Sequence, residues 1–160
     1  MLNPFYSGLV CLSSASGRFH NMSHFRRLCL ARDYLAARFN ERTSLAEAAA
    51  QAELSPFYFH RLFADAFNET PHQFVTRLRI DHAKQLLLAG NHSVTDVCFD
   101  AGYESLGSFS TRFHSLTGLS PAEFRRESRR VFGTSGRHWP LYYMPACFQH
   151  FFAGFSEPNA

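Results

Sequence analysis

The chain has 160 residues, of which 46% are hydrophobic and 18% charged, a composition typical of a globular domain and not of a disordered or fibrous protein. No run of roughly 18 or more apolar residues occurs, which excludes a hydrophobic membrane-spanning helix. We expect no signal peptide, because a basic leader followed by a long apolar stretch is missing. The four cysteines form no Cys-x-x-Cys pair, so the sequence predicts reduced thiols rather than a zinc ribbon or a disulfide framework.

The net charge is +3, but the positive charge is unevenly distributed. Residues 28–128 contain ten Arg and Lys residues against twelve Asp and Glu residues, a local net charge of −2. Overall basicity is therefore weak evidence for a nucleic-acid partner, and such a function has to depend on where particular arginines lie. Fifteen of the sixteen basic residues are arginines, whose forked side chain can donate two parallel hydrogen bonds.

The first predicted element is a helix over residues 28–39. The preceding residues, 1–27, are expected to form a flexible arm. His20 and His24 have helical spacing within this arm, but a third metal ligand is missing, so we predict no metal site there.

A first helix-turn-helix unit is predicted over residues 45–67. Ser44 and Glu47 have the spacing of a capping box, in which a hydroxyl and a carboxylate satisfy each other's backbone N–H groups. Apolar residues then recur at helical intervals, at Leu45, Ala48, Ala49 and Ala52. These features predict a short helix with one buried face.

The second helix of this unit follows a tight turn. Ser55 is a hydroxyl N-cap, and Pro56 occupies the first helical position, where proline is favoured. The inward face is predicted to consist of phenylalanines, at Phe59, Phe63 and Phe67. Asn68 is a suitable left-handed stop for this helix.

A long helix is predicted over residues 71–88, with Thr70 and Gln73 as a further capping box. Its eighteen or so residues correspond to a length of about 27 Å. The basic side chains of this helix are expected to form a solvated face, to pair with Asp81 or to contact DNA backbone, and they are Arg77, Arg79 and Lys84.

The next region repeats the first unit. Residues 44–52 match residues 93–101 at an offset of 49, and after one inserted residue the offset becomes 50. The matching pairs at the second offset are Phe59/Phe109, Phe63/Phe113, Asn68/Gly118, Thr70/Ser120, Pro71/Pro121 and Phe74/Phe124. This ordered set indicates a duplicated unit of about thirty residues, with the second copy over about 94–117.

The two copies differ in their turns. Gly102 can adopt a positive φ without a Cβ penalty, whereas its counterpart Glu53 does so less easily. The inward residues of the second helix of this copy are predicted to be Phe109, Phe113 and Leu116, with Gly118 as its stop.

A last short helix is predicted from Ser120-Pro-Ala-Glu123 to about Ser128. The tail that follows, residues 129–160, is rich in aromatic residues, which are costly to leave exposed. Several alternatives stay open for it: packing against the helical domain or remaining poorly ordered, self-association, a small-molecule pocket, or contact with a membrane.

Taken together, these elements predict an all-α fold of about seven helices with two helix-turn-helix subdomains joined by a long central helix. The second helix of such a unit can enter a major groove of DNA. Two units joined by a helix of about 27 Å can place these helices about one DNA turn, or ~34 Å, apart. A monomer could then read two successive grooves.

Several segments together resemble the DNA-binding domain of the AraC/XylS family of bacterial transcription regulators. They are residues 52–63, 79–87, 101–105, 109–113 and 118–126. The resemblance covers about a hundred residues with the motifs in order. It implies a seven-helix, two-lobed DNA-binding domain, usually in an activator that contacts RNA polymerase.

The resemblance also implies site residues. Base readout falls on Phe57, His60 and Arg61 in the first unit and on Leu106, Gly107, Ser108 and Thr111 in the second. Phosphate contacts and positioning are expected of Ser55, Tyr58, Ser105, Arg112, Arg125 and Arg126. Many family members have an arginine where Thr111 stands, so we expect the first unit to carry most of the base readout.

Other interpretations of these residues stay open. Phe57 and Tyr58 could pack within the domain, and Arg61 could form only a surface ion pair. No phosphate-binding loop or nucleophile motif occurs, so we predict that the protein is not an enzyme and uses no cofactor or metal.

The expected function is sequence-specific binding of double-stranded DNA in transcription regulation, more often as an activator. We expect a monomer on DNA, with RNA polymerase as a partner and self-association through the tail as an option, in the bacterial cytoplasm at the nucleoid. The alternative is a helix-turn-helix protein-interaction module with weak or lost DNA specificity, an interpretation that the local charge of −2, Gly107 and Thr111 favour.

Overall fold

The computed structural model describes residues 22–90 and 92–133, and within these ranges the chain is all-α, with seven helices and no strand. The helices are α1 Met22–Ala37, α2 Leu45–Gln51, α3 Pro56–Phe67, α4 Pro71–Ala89, α5 Val94–Asp100, α6 Leu106–Thr117 and α7 Pro121–Gly133. The predicted all-α fold is therefore confirmed. None of the helices in these ranges is long and apolar enough to cross a membrane.

Two helices extend beyond their predicted ends. α1 begins at Met22 rather than Leu28, because Phe25 continues its packing surface and lies 6.1 Å from the Phe67 ring, centroid to centroid. α7 continues past Ser128 to Gly133, since no proline or glycine interrupts it before that residue. The predictions for residues 1–21 and for the aromatic residues from 134 onwards lie outside the described residues.

The chain divides into two compact units, with the boundary between Leu78 and Arg79 inside α4. The core of the first, unit 1, consists of Leu28, Ala31, Leu35, Ala48, Ala49, Ala52, Phe59, Phe63, Phe74 and Leu78. Its phenylalanine rings pack closely, with 5.4 Å between the centroids of Phe59 and Phe63 and 5.7 Å between those of Phe63 and Phe74. The predicted inward phenylalanines of α3 therefore form the centre of unit 1.

The second unit, unit 2, has an equivalent core, consisting of Ile80, Ala83, Leu87, Val97, Cys98, Ala101, Phe109, Phe113 and Phe124. Leu116 was predicted to face this core, and that prediction is wrong, because 51% of its surface is exposed. The buried stripe of α6 continues from Phe113 to Thr117, whose hydroxyl donates to the Phe113 carbonyl at 2.8 Å. Thr117, not Leu116, stands at the position of Phe67 in the repeat.

The predicted caps and stops of the helix-turn-helix helices are confirmed in both units. Ser44 Oγ accepts from the Glu47 N–H at 3.1 Å, and the Glu47 carboxylate accepts from the Ser44 N–H at 3.0 Å. Ser93 and Asp96 form the same reciprocal pair at the start of α5. The stops of α3 and α6, Asn68 and Gly118, are both left-handed, with φ of 56° and 76°. Local hydrogen bonds and left-handed residues thus mark these helix ends.

Candidate nucleic-acid interface

The outer face of α3 is formed by residues opposite its buried phenylalanines. The hydroxyl of Ser55 caps the helix by accepting from the Tyr58 N–H at 3.4 Å. Because Phe59 and Phe63 are buried, the helical period turns Phe57, His60 and Arg61 outward, and all three are exposed. The ring of Phe57 has 78% of its surface exposed, so it does not pack within the domain.

Arg61 extends along this face beside an aromatic ring. Its guanidinium carbon lies 5.6 Å from the centroid of the half-buried Tyr58 ring, a cation–π distance. Among the described residues, this ring and not a carboxylate is the partner of Arg61. The stacking limits the freedom of the side chain and leaves its donor fork available to a base edge or a phosphate.

α6 has the same architecture but a different outer face. Ser105 caps the helix by accepting from the Ser108 N–H at 3.3 Å. The hydroxyl of Ser108 donates to the Ser105 carbonyl at 3.2 Å and also contacts the Ser105 hydroxyl, so it is already engaged within the cap. Leu106 is 44% exposed, and Gly107, Thr111 and Arg112 are exposed along the helix.

The repeat makes the two outer faces directly comparable. At the offset of 50, Gly107 takes the place of Phe57, and Thr111 takes the place of Arg61. At these two positions α6 therefore lacks the ring and the guanidinium fork that α3 exposes. A hydroxyl and a glycine discriminate between bases less strongly than a bidentate arginine does.

Arg125 and Arg126 lie in the first half of α7. Arg125 is half-buried and donates from Nη1 to the carbonyl of His92 at 3.2 Å, while Arg126 is exposed. Arg125 therefore ties α7 to the segment that enters α5, and both residues lie in unit 2 together with α6.

The basic side chains of α4 do not form the expected solvated face. Arg77 donates two hydrogen bonds to the Glu69 carboxylate, at 2.6 and 3.1 Å. Lys84 is buried and contacts Asp81 at 3.3 Å, so the pairing alternative is correct for this residue. Burial lowers the pKa of Arg79, whose guanidinium lies 5.6 Å from the centroid of the Tyr103 ring.

The described residues contain no group of three or more His, Cys, Asp or Glu side chains that could hold a metal ion. The candidate interface therefore consists of the exposed side chains of α3 and α6 and not of a metal site.

The comparison with known families identifies the domain to which α3 and α6 belong. A profile described as a helix-turn-helix domain matches residues 48–127, which is half of the chain and covers the first helix-turn-helix unit from residue 48 and the whole of the second. The chain belongs to the AraC-type helix-turn-helix family. The resemblance seen in the sequence is thereby confirmed.

Curated AraC-type relatives are transcription regulators by name. The probable transcriptional regulator LumQ of Photobacterium leiognathi is 33% identical over 119 residues, which is 73% of this chain and 48% of LumQ. The melibiose operon regulatory protein of Escherichia coli K12 is 26% identical over 97 residues, or 61% of this chain and 32% of that protein. The chain thus spans about half or less of the length of these relatives.

One relative combines regulation with catalysis. The bifunctional transcriptional activator/DNA repair enzyme AdaA of Bacillus subtilis is 29% identical over 97 residues, covering 61% of this chain and 46% of AdaA.

Solved AraC-type domains have the same fold. The DNA-binding domain of AdpA, solved in complex with a target DNA, is 25% identical with a TM-score of 0.64, covering 68% of this chain and 98% of that domain. The C-terminal domain of AraT from Geobacillus stearothermophilus is 26% identical with a TM-score of 0.61, covering 69% and 92% respectively.

Proposed function

We propose that this chain binds double-stranded DNA sequence-specifically and regulates transcription, with α3 and α6 each entering a major groove. The observation that carries this proposal is the outer face of α3, where His60 and Arg61 are exposed beside the exposed ring of Phe57. An arginine fork pairs with guanine O6 and N7, a histidine can donate or accept, and an aromatic ring can contact the thymine methyl group.

The two units are proposed to contribute unequally to base readout. α3 supplies most base readout, through Arg61 in particular. On α6, Leu106, Gly107, Ser108 and Thr111 contribute shape complementarity more than hydrogen bonds, since the Ser108 hydroxyl is engaged with Ser105. Arg112, one residue from Thr111, lies about 100° around the helix and is proposed to meet a phosphate.

The remaining phosphate contacts are proposed to come from the helix caps and from α7. Ser55 and Ser105 lie at the N-termini of α3 and α6, where backbone N–H groups favour a phosphate. Tyr58 lies one turn further along α3, and Arg125 and Arg126 add cationic donors from α7.

For the whole protein we propose a non-enzymatic regulator, more often an activator, that contacts RNA polymerase and works at the nucleoid in the bacterial cytoplasm. A monomer with two helix-turn-helix units can read a two-part site without dimer symmetry. We propose no cofactor. This assignment rests on AraC-type relatives that are regulators by name and on the duplicated unit.

Selection from a random duplex library at near-physiological salt, with sequencing of the bound fraction, tests this function. We expect a site with two parts about one turn apart. Arg61→Ala is expected to relax one part only, with a loss of roughly 1–3 kcal/mol of base discrimination. Thr111→Ala is the matched control at the same helical position, and it should change the selected site much less.

The same selection experiment distinguishes DNA binding from the alternative function, a protein-interaction module. A protein-interaction module without DNA readout, which the local charge of −2 favours, would enrich no sequence and bind duplexes only weakly and in a salt-sensitive manner. That result would overturn the proposal for this chain.

A further inference from the structure

Four arginines of α7 lie on one side of the helix. With Ala122 they line a groove of about 370 Å³, and they are Arg125, Arg126, Arg129 and Arg130. At about 100° per residue these positions span about 140° of the helix circumference, whereas the buried side is occupied by Phe124 and Ser128. We call this set of four side chains the arginine face.

Two members of the arginine face are held in place by the backbone. Arg125 donates to the carbonyl of His92 at 3.2 Å, and Arg129 donates from Nη2 to the carbonyl of Gly90 at 3.5 Å. Both carbonyls belong to the segment between α4 and α5. A guanidinium has five N–H donors, so one such bond orders the group and leaves donors for an anion. This ordering lowers the entropic cost of binding.

The acidic residues of α7 do not cancel this charge. Glu123 accepts from the Ser120 N–H at 2.9 Å and from the Ser120 hydroxyl at 2.6 Å, so its carboxylate is used as a helix cap. Glu127 contacts Arg130 at 3.5 Å. With four arginines and two glutamates, α7 carries a net charge of +2. The positive charge is concentrated on the groove side.

We propose that the arginine face binds backbone phosphates of duplex DNA and anchors unit 2, an inference that rests on the proposed DNA-binding function. From Arg125 to Arg130 the helix rises about 7.5 Å. Phosphates on one strand advance about 3.4 Å each along the duplex axis, so this length corresponds to about two such steps and reaches about three phosphates. The arginine face adds four guanidinium groups to the single one that α6 exposes, Arg112, and carries no base readout.

The salt dependence of binding tests this anchor. Each neutralised phosphate contributes about 0.9 to the slope of log K against log salt concentration. Arg126→Gln and Arg129→Gln are each expected to reduce the magnitude of that slope by about 1, and the double variant by about 2, without changing the selected sequence. Fluorescence anisotropy on the selected site and on a random-sequence duplex, between about 50 and 200 mM salt, measures the slope.

Arg38→Gln is the matched control. It removes the same single charge. Arg38 is exposed, follows the last residue of α1, pairs with Glu41 at 3.6 Å and lies outside both helix-turn-helix units. We expect the wild-type slope for this variant. Thermal unfolding of every variant verifies that the fold is intact.

Three other results would each overturn the anchor, the proposed function or both. A wild-type slope in the Arg126 and Arg129 variants, with sequence selection retained, overturns the anchor and leaves the proposed function standing. An equal slope change in Arg38→Gln shows that overall charge is responsible, which also overturns the anchor. Failure of the wild-type chain to bind any duplex overturns both proposals.

Discussion

Glu53 and Gly102 occupy equivalent positions in the two helix-turn-helix turns, and both adopt a left-handed backbone, with φ of 53° and 78°. In each turn the next N–H donates to a carbonyl five residues earlier, at 3.1 Å. The two turns therefore begin in the same way, with a left-handed residue and an equivalent hydrogen bond, although the second turn is one residue longer. Glycine adopts this conformation without a steric cost, whereas a side chain with a Cβ loses about 1–2 kcal/mol.

Relieving this strain is expected to stabilise unit 1. Glu53→Gly should be more stable than Glu53→Ala by about 1 kcal/mol, since both lose the 3.2 Å ion pair with Arg27 and only the alanine retains the Cβ. Urea denaturation of the two variants measures the difference. Gly102→Ala is the reciprocal test and should destabilise by about 1–2 kcal/mol. Equal stability of the two Glu53 variants would show that the left-handed backbone at this position is not strained by a Cβ.

The turns also illustrate which parts of the fold the sequence predicts. Caps and stops depend on residues within a few positions of each other, so Ser44 with Glu47 and the left-handed Asn68 are recognisable from spacing alone. The repeat adds a second copy as a check. Leu116 was misplaced because both the i+3 and i+4 positions satisfy a helical period, and only the packing of α6 distinguishes them.

Contacts between distant residues were not predictable in the same way. Arg77 with Glu69 joins α4 to the loop before it, and His82 Nε2 lies 2.7 Å from Asp100 across 18 residues. No sequence period links such partners. The exposed face of α3 was predicted, because it lies opposite a buried phenylalanine stripe. The stacking of Arg61 on Tyr58 was not predicted and is seen only in the structure.

The buried pair of Asp81 and Lys84 makes α4 sensitive to substitution. Their exposed fractions are 3% and 5%, and the ammonium and carboxylate lie 3.3 Å apart. Lys84→Met is expected to destabilise the protein by about 3 kcal/mol, because the carboxylate stays buried after losing this partner. Gln85→Met, at the exposed neighbouring position, should change stability by less than about 0.5 kcal/mol. Equal unfolding free energies for the two variants in urea would refute the role of the pair.

The start of α7 is expected to respond to acid. Hydrogen bonds from the side chain and then the backbone of Ser120 hold the pKa of Glu123 below its ordinary value. A pKa that is lower in the folded than in the unfolded state means that folding favours the charged carboxylate. The Glu123 carboxylate therefore adds to the free energy of unfolding above the ordinary carboxyl pKa, and this stabilisation is lost as the pH falls through the lowered pKa.

Ser120→Ala should therefore raise the pKa of Glu123 towards its ordinary value and reduce the acid-induced loss of stability. An NMR titration of the carboxyl carbon measures the pKa directly. Ser115→Ala is a suitable control, since that hydroxyl donates to the Arg112 carbonyl and touches no carboxylate. A pKa of Glu123 that is unchanged in Ser120→Ala would show that the hydroxyl is not the cause.

The unequal readout of the two units predicts a gain of specificity. Thr111→Arg places a guanidinium fork on α6 at the position that Arg61 occupies on α3, on an exposed face of the helix. We expect library selection to reveal a new guanine preference in the second part of the site, worth roughly 1–3 kcal/mol of discrimination. Thr111→Lys adds the same charge without the fork, so it should tighten binding to all duplexes alike. If both variants select the same sites as the wild-type chain, α6 does not reach the base edges, and unit 2 contributes through the DNA backbone alone.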